Sequence, residues 1–207
     1  MENVVKNGPE VIKKDVAYDG YFKVMDYTIK DGDSEYKREV FERGNSVAGV
    51  IYDTVKKKYI FVKQFRPSSG DMVEVVAGSM DIEGEKPDEA LKREIIEETG
   101  YKVDLINHLK DFYTSPGGTS EICSLFYVEV SEKVSEGGGV DGENIEVIEV
   151  DYLGANGTLF WNMDGGEMIP PYELIDAKSI VAVSIVETNR ILSDMADVLT
   201  QARMRTL

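Results

Sequence analysis

The chain has 207 residues, with 39 Asp and Glu against 23 Lys and Arg, giving a formal net charge of −16. That excess of acid excludes duplex nucleic acid and anionic membranes as partners, because both require Lys and Arg to neutralise phosphate. A hydrophobic content of 42% supports a core large enough for one domain with an appendage, or for two small ones. A single cysteine, Cys123, leaves no internal disulfide framework, and a single histidine, His108, leaves no His-rich zinc site. Both point to a reducing, cytoplasmic setting. The first residues lack the apolar core of a signal segment, and no run approaches the roughly 18 apolar residues of a membrane span.

In chain order, a polar start leads to two strands, Tyr21 to Ile29 and Tyr36 to Phe41, turned by Asp31-Gly32-Asp33 as in a hairpin. Ser46 to Tyr52, Tyr59 to Phe65 and Val73 to Ala77 follow as strands. Pro87 to Thr99 carries Pro in its first turn, acids early and Gly100 just beyond, which are matched start and stop signals for a helix. Further strands are expected at Val103 to Tyr113, Ile122 to Val130 and Ile145 to Tyr152, with Gly137-Gly138-Gly139 in a flexible surface loop between the last two. Gly154 to Pro171 is an irregular excursion, and Glu173 to Arg205 has helical periodicity with a candidate break at Asn189. The pattern predicts a mixed sheet sandwiched by helices, an α/β arrangement.

Acid is concentrated in one place. Between Asp81 and Glu98 there are eight acids and three bases, a net of −5. At about 100° per residue, Glu94, Glu97 and Glu98 share one face of the helix beside the apolar Leu91 and Ile95. Like charges so placed repel, and Arg93, four residues before Glu97, can hold one carboxylate. Glu94 and Glu98 are left to converge on a hard cation, and an all-oxygen set without Cys or His favours Mg²⁺ or Mn²⁺ over zinc.

The spacing extends beyond the helix. Glu85, seven residues, then Arg93-Glu94-Ile95-x-Glu97-Glu98-x-Gly100-Tyr101 resembles the signature of the Nudix hydrolases. The resemblance implies a Nudix fold, an α/β/α sandwich around a mixed sheet, in which helix glutamates hold divalent metal for attack of water on a diphosphate bond. It implies Glu94, Glu98 and the Ala77 carbonyl as metal ligands, Glu97 as a ligand or water-positioning group, and Glu85 with Arg93 as a brace of loop against helix. Gly78 opens the motif and Gly100 closes it. Six residues separate Gly78 from Glu85 where the family has five, so a bulged loop is expected.

Other segments are similar to the branch of the family that hydrolyses ADP-ribose and GDP-mannose: Lys37-Arg38-Glu39-Val40, Arg43-Gly44-Asn45, Gln64-Phe65-Arg66, Ser115 to Glu121, and Gly137 to Val147. Through them the resemblance implies substrate contacts from Tyr21, Lys37, Arg38, Glu39, Arg66, Gly117, Glu121 and Lys178. Glu143 is implied as a further metal ligand, Asp141 or Glu143 as general base, and Glu146 as a weaker rival. Arg66 and Arg38 suit bidentate recognition of phosphate oxygens, although either could be ordinary surface charge. The resemblance also implies a homodimer, with residues 1–43 as a small β subdomain exchanged between protomers and residues 44–207 as the hydrolase domain.

The expected reaction is hydrolysis of a nucleoside diphosphate sugar to a nucleoside monophosphate and a sugar phosphate. A binder that does not hydrolyse its nucleotide sugar is the rival reading, and it should lack one of Glu94, Glu97 or Glu98; all three are here. A calcium module is disfavoured because the acids lie on a helix rather than in a twelve-residue loop. His108 is expected to be structural, Cys123 a small buried side chain, and Trp161 an anchor of core or dimer.

Overall fold

The structure, a computed structural model, describes residues 8–140, 142, 144–151 and 174–204. The excursion at 154–171 with Trp161, and the two loop acids Asp141 and Glu143, lie outside the described residues. The chain divides into two compact units, one made of the chain up to Asn45 together with Tyr113–Ile122, the other of Ser46–Phe112 and the chain from Cys123 onward.

The first unit is a three-stranded antiparallel sheet of β1 (Glu10–Asp19), β2 (Lys23–Asp31) and β3 (Ser34–Glu42), in that order. Gly32, at φ +61°, turns β2 into β3 so that Asp31 faces Ser34. Strand β1 falls in the stretch read from sequence as a polar start. Nearly all of it is exposed, so it shows no alternation of apolar and polar residues; pairing with β2 makes it a strand.

The second unit holds a mixed sheet. Its strands are β4 (Ser46–Asp53), β5 (Lys58–Arg66), β6 (Gly70–Glu74), β7 (Val76–Ser79), β8 (Tyr101–Tyr113), β9 (Ile122–Lys133) and β10 (Glu146–Asp151). The order is β10-β5-β4-β9-β8, with β6 beside β5 and β7 beside β4. Strands β4 and β9 run parallel, whereas β4 pairs antiparallel with β5 and β7. Side chains of β4 alternate between two apolar layers. Val47 and Ile51 join Ala90, Leu91 and Ile95 of helix α1 (Pro87–Thr99), while Ala48 and Val50 join Ala182 and Val183 of helix α2 (Ala177–Met204). The helices therefore cover opposite faces, and each fully buried Val, Leu or Ile contributes about 1.5–3 kcal/mol.

Two expectations need correction. The strand read over Val73 to Ala77 is two, because the Val75 N–H turns away from the sheet and donates to Ser179 Oγ of α2 at 2.9 Å. Helix α2 is continuous through Asn189, which is exposed and leaves the backbone ladder intact. No described helix is long and apolar enough to cross a membrane.

Candidate active site

Helix α1 begins and ends where its residues dictate. Pro87 occupies the first turn, the Glu89 carboxylate accepts the Lys86 N–H at 3.4 Å, and Gly100, at φ +76°, donates to the Ile96 carbonyl at 3.0 Å. Burial of Ala90, Leu91 and Ile95 fixes the rotation of the helix, and that rotation brings the glutamates to one side.

The glutamates gather around one guanidinium. Arg93 donates from Nε and Nη2 to the two oxygens of Glu85, both at 3.2 Å, and from Nη1 to Glu94 at 2.8 Å and Glu97 at 3.3 Å. Asp81 lies 3.9 Å away. The bond to Glu85 is the chief reason this guanidinium holds its proton even more firmly than a free one. The two-pronged grip ties the loop before α1 to the helix. Between Gly78 and Arg93 the chain makes a turn in which Glu85 N–H donates to the Ile82 carbonyl at 3.2 Å and Gly84 takes φ +81°.

Gly78 makes room for Glu94. A Cβ built there would lie 2.2 Å from Glu94 Cδ and 2.3 Å from its Oε1. Ala77 sits beside it in β7, opposite Ala48 of β4. Glu98 is 4% exposed at the foot of the same helix face.

Among the described residues, no three acidic or sulfur- or imidazole-bearing side chains form a ready cation cluster, since Arg93 sits between the carboxylates. The donor chemistry nonetheless fits a hard divalent cation. Asp81, Glu85, Glu94, Glu97 and Glu98 bring five acids to one strand-to-helix junction with one guanidinium among them, and the donors are all oxygen. Glu94 and Glu98 are among the side chains that could hold it.

The last turn of α1 is tied to the chain after β9. Gly138 N–H donates to the Glu98 carbonyl at 2.8 Å and Gly139 N–H to the Glu97 carbonyl at 3.0 Å, while Val134 N–H donates to the Gly100 carbonyl at 2.7 Å. The approach is close: a Cβ on Gly137, itself at φ +73°, would lie 2.5 Å from the Thr99 carbonyl carbon. Of the three glycines, expected in a flexible loop, Gly138 and Gly139 bond the carbonyls of Glu98 and Glu97, and Gly137 lies against Thr99.

At the end of β6, Glu74 receives two cations. Arg66 Nε donates to Glu74 Oε2 at 2.7 Å, and Lys178 Nζ lies 3.8 Å from Oε1. Lys178 also bonds Asp176 Oδ1 at 2.9 Å. Asp176 caps α2 by accepting from the Ser179 N–H and hydroxyl, each at 2.9 Å. Burial works to raise the Asp176 carboxyl, but Lys178 and Ser179 together outweigh it and hold the group below its ordinary value. Glu74, missed from sequence, had one faint signal, a lone acid in an otherwise apolar Met72 to Ala77 run.

Residues 42–165 match the family model of the NUDIX domain. The chain belongs to the Nudix hydrolases. It is 34% identical over 196 residues to GDP-mannose pyrophosphatase of Escherichia coli strain K12, covering 88% of this chain and 96% of that one. The GDP-mannose pyrophosphatase of Shigella sonnei strain Ss046 is 33% identical over the same shares. A crystal structure of an ADP compounds hydrolase shares the fold at a TM-score of 0.67, with 18% identity over 87% of this chain and 93% of that one.

The remaining residues implied by resemblance are distributed as follows. In the N-terminal unit of this Nudix hydrolase, Tyr21 is 96% exposed, and Lys37 bonds Asp26 at 3.0 Å. Arg38 lies over the Tyr36 ring, and Glu39 faces Asp26 across the β2–β3 ladder. Gly117 lies within a turn in which the Ser115 carbonyl accepts the Gly118 and Thr119 N–H groups. Glu121 is buried and its carboxylate is taken up inside the unit, by the Thr114 hydroxyl at 2.8 Å and Arg43 at 3.8 Å. In the hydrolase unit, Glu146 faces Lys63 from β10. His108 bonds Asp111 at 2.8 Å and packs edge-on against Phe126, and Cys123 is fully buried. A cavity of about 450 Å³, lined by Tyr52, Tyr59, Tyr127 and Arg190 among others, lies on the α2 face of the sheet, opposite the α1 carboxylates.

Proposed function

We propose that this Nudix hydrolase cleaves the diphosphate of a nucleoside diphosphate sugar, of GDP-mannose or ADP-ribose type, to a nucleoside monophosphate and a sugar phosphate, with Mg²⁺ or Mn²⁺. The observation that carries the reading is likeness to GDP-mannose pyrophosphatases along nearly the whole of both chains, joined to four acids around one arginine at α1.

Glu94, Glu98 and the Ala77 carbonyl would hold the metal, with Glu143 as a further ligand and Glu97 as a ligand or water-positioning group. Divalent cations, when bound, offset the charge of the diphosphate and make a water acidic enough to attack phosphorus at neutral pH. Everything else falls to the chain. Arg93 neutralises part of the acid cluster and holds Glu85 against the helix. Gly78 lets the Glu94 carboxylate lie flat on β7. Arg66 and Lys178 take diphosphate oxygens, and Asp141 or Glu143 removes the proton from the attacking water. Tyr21, Lys37, Arg38 and Glu39 contact nucleotide or sugar, and Gly117 and Glu121 shape the loop beside them.

We also infer a homodimer in a reducing, cytoplasmic setting, with residues 1–43 as the dimerising subdomain and residues 44–207 as the hydrolase domain. Exposed Val11, Ile12, Val16 and Tyr18 along β1 support this, as apolar side chains that an interface would bury. The test is a panel of nucleotide sugars with Mg²⁺, Mn²⁺ or chelator, scored by phosphate released on phosphatase treatment of the products. GDP-mannose or ADP-ribose should be turned over only with metal; no turnover of any nucleotide sugar overturns the reading.

A further inference from the structure

Glu74 belongs to none of the motif positions, yet it is among the buried acids of the second unit. It is 3% exposed, which for a carboxylate demands compensation by positive charge. Both of its oxygens face cations: Oε2 takes Arg66 Nε at 2.7 Å, and Oε1 faces Lys178 Nζ at 3.8 Å. These two cations come from opposite ends of the hydrolase unit in sequence, Arg66 from the last residue of β5 and Lys178 from the first turn of α2. Each is more exposed than the acid that joins them, at 38% and 21% of its side chain.

Arg66 is gripped through Nε alone. Among the described residues its Nη groups make no hydrogen bond, so the forked edge that suits a phosphate is left to a ligand. Lys178 is steadied from behind by Asp176, which in turn is locked by Ser179, whose hydroxyl accepts the Val75 N–H next to Glu74. The chain of contacts closes on itself: Glu74, Lys178, Asp176, Ser179, Val75. Two like charges with flexible stems would otherwise separate, and two carboxylates, Glu74 and Asp176, hold them.

We propose that Glu74 is a positioning residue that fixes Arg66 and Lys178 as a preformed pair for the anionic oxygens of the diphosphate. The inference rests on the proposed hydrolysis of a nucleotide sugar and adds a residue that acts through two others without touching substrate. Its loss should weaken substrate capture and leave the chemical step, carried at α1, nearly intact.

The experiment is steady-state kinetics of full-length wild type, Glu74→Gln and Glu74→Asp on whichever nucleotide sugar the wild type hydrolyses, with thermal melting of each. Glu74→Gln keeps the shape and removes the charge; KM should rise about tenfold, the factor that corresponds to 1.4 kcal/mol, with kcat within about twofold. Glu74→Asp should lie between that variant and wild type. In an Arg66→Met background, adding Glu74→Gln should raise KM by less than the roughly tenfold expected in the wild-type background, because only Lys178 is left for it to position. An unchanged or lowered KM in Glu74→Gln overturns the proposal, as does a fall in kcat with KM constant. Should Glu74→Gln melt below the assay temperature, Glu74→Asp carries the test, and a wild-type KM there overturns it. A wild type that hydrolyses no nucleotide sugar is a different result: it defeats the proposed function first, and binding of inorganic pyrophosphate by wild type and Glu74→Gln then decides the positioning role, equal affinities counting against it.

Discussion

The Gly78→Ala variant isolates the geometry of one carboxylate. Gly78 pairs with Val47 in an ordinary strand and is absent from the positive-φ glycines, so an alanine meets no backbone penalty. The conflict is with a side chain. Its Cβ would stand 2.2 Å from Glu94 Cδ, whereas ordinary contact begins at 3.4 Å, so the carboxylate must retreat by about 1.2 Å. A misplacement of about 1 Å at a reacting centre costs on the order of 10²-fold in rate, about 2.7 kcal/mol of barrier. Stability should change little, because removing a glycine from the unfolded chain returns about 0.4–1 kcal/mol against the cost of moving a partly exposed side chain. The assay is kcat at saturating Mg²⁺ and nucleotide sugar, with melting temperature as control. The expected outcome is a loss of about 10²-fold in kcat with Tm within about 3 °C of wild type. A kcat within threefold of wild type would refute the placement of Glu94 in the metal site, and a collapse of Tm that accounts for the lost activity would refute the argument that the backbone tolerates alanine.

Other outcomes follow from separate parts of the molecule. Glu98→Gln should lower kcat by orders of magnitude with the fold retained, whereas Glu146→Gln, out on β10 beside Lys63, should be mild; reversed effects in a Mg²⁺ titration would move the ligand. Asp176→Ala should cost about 1 kcal/mol at neutral pH, through the lost cap and the lost Lys178 pair. Because the folded Asp176 carboxyl titrates below its unfolded value, its contribution is present above the ordinary carboxylate range and disappears as pH falls through the folded value. Melting curves of wild type and variant should therefore begin to converge as pH falls below about 4, the unfolded value, and meet only below the folded one; a gap that does not narrow in acid would show that the pair is not its source. Deleting residues 1–43 should abolish both dimer and activity; light scattering of an active monomer would refute the assigned role of those strands.

What the sequence made legible was local. Pro87, the early acids and Gly100 delimit α1 within a stretch of fourteen residues, and the structure places the helix over Pro87–Thr99. The Asp31-Gly32-Asp33 turn likewise foretold β2 and β3. What escaped was set by partners far along the chain. The split between β6 and β7 depends on a bond from Val75 to Ser179, 104 residues away, and Glu74 gains its meaning from a lysine equally remote. Strand β1 escaped for the opposite reason, since it buries almost nothing and carries no periodic signal. The glycines at 137–139 were visible, but their composition alone suits a loose loop as well as a close approach of two backbones, and only the carbonyls of Glu97 and Glu98 decide between the two.

That close approach bears on how this scaffold can diversify. Ile145 N–H donates to the Gly138 carbonyl at 3.2 Å, so Gly138 and Ile145 are joined to each other and, through Gly138, to the end of α1. A loop fastened at both ends can change length cheaply, each doubling costing about 0.6 kcal/mol in closure entropy. Insertions after Gly139 would leave the helix terminus and its carboxylates where they are, whereas one between Val134 and Gly139 would unlatch them. Libraries aimed at a new sugar or base should therefore keep Gly137, Gly138 and Gly139 fixed, together with Asp141 and Glu143, and vary Val140, Gly142 and Asn144 around them.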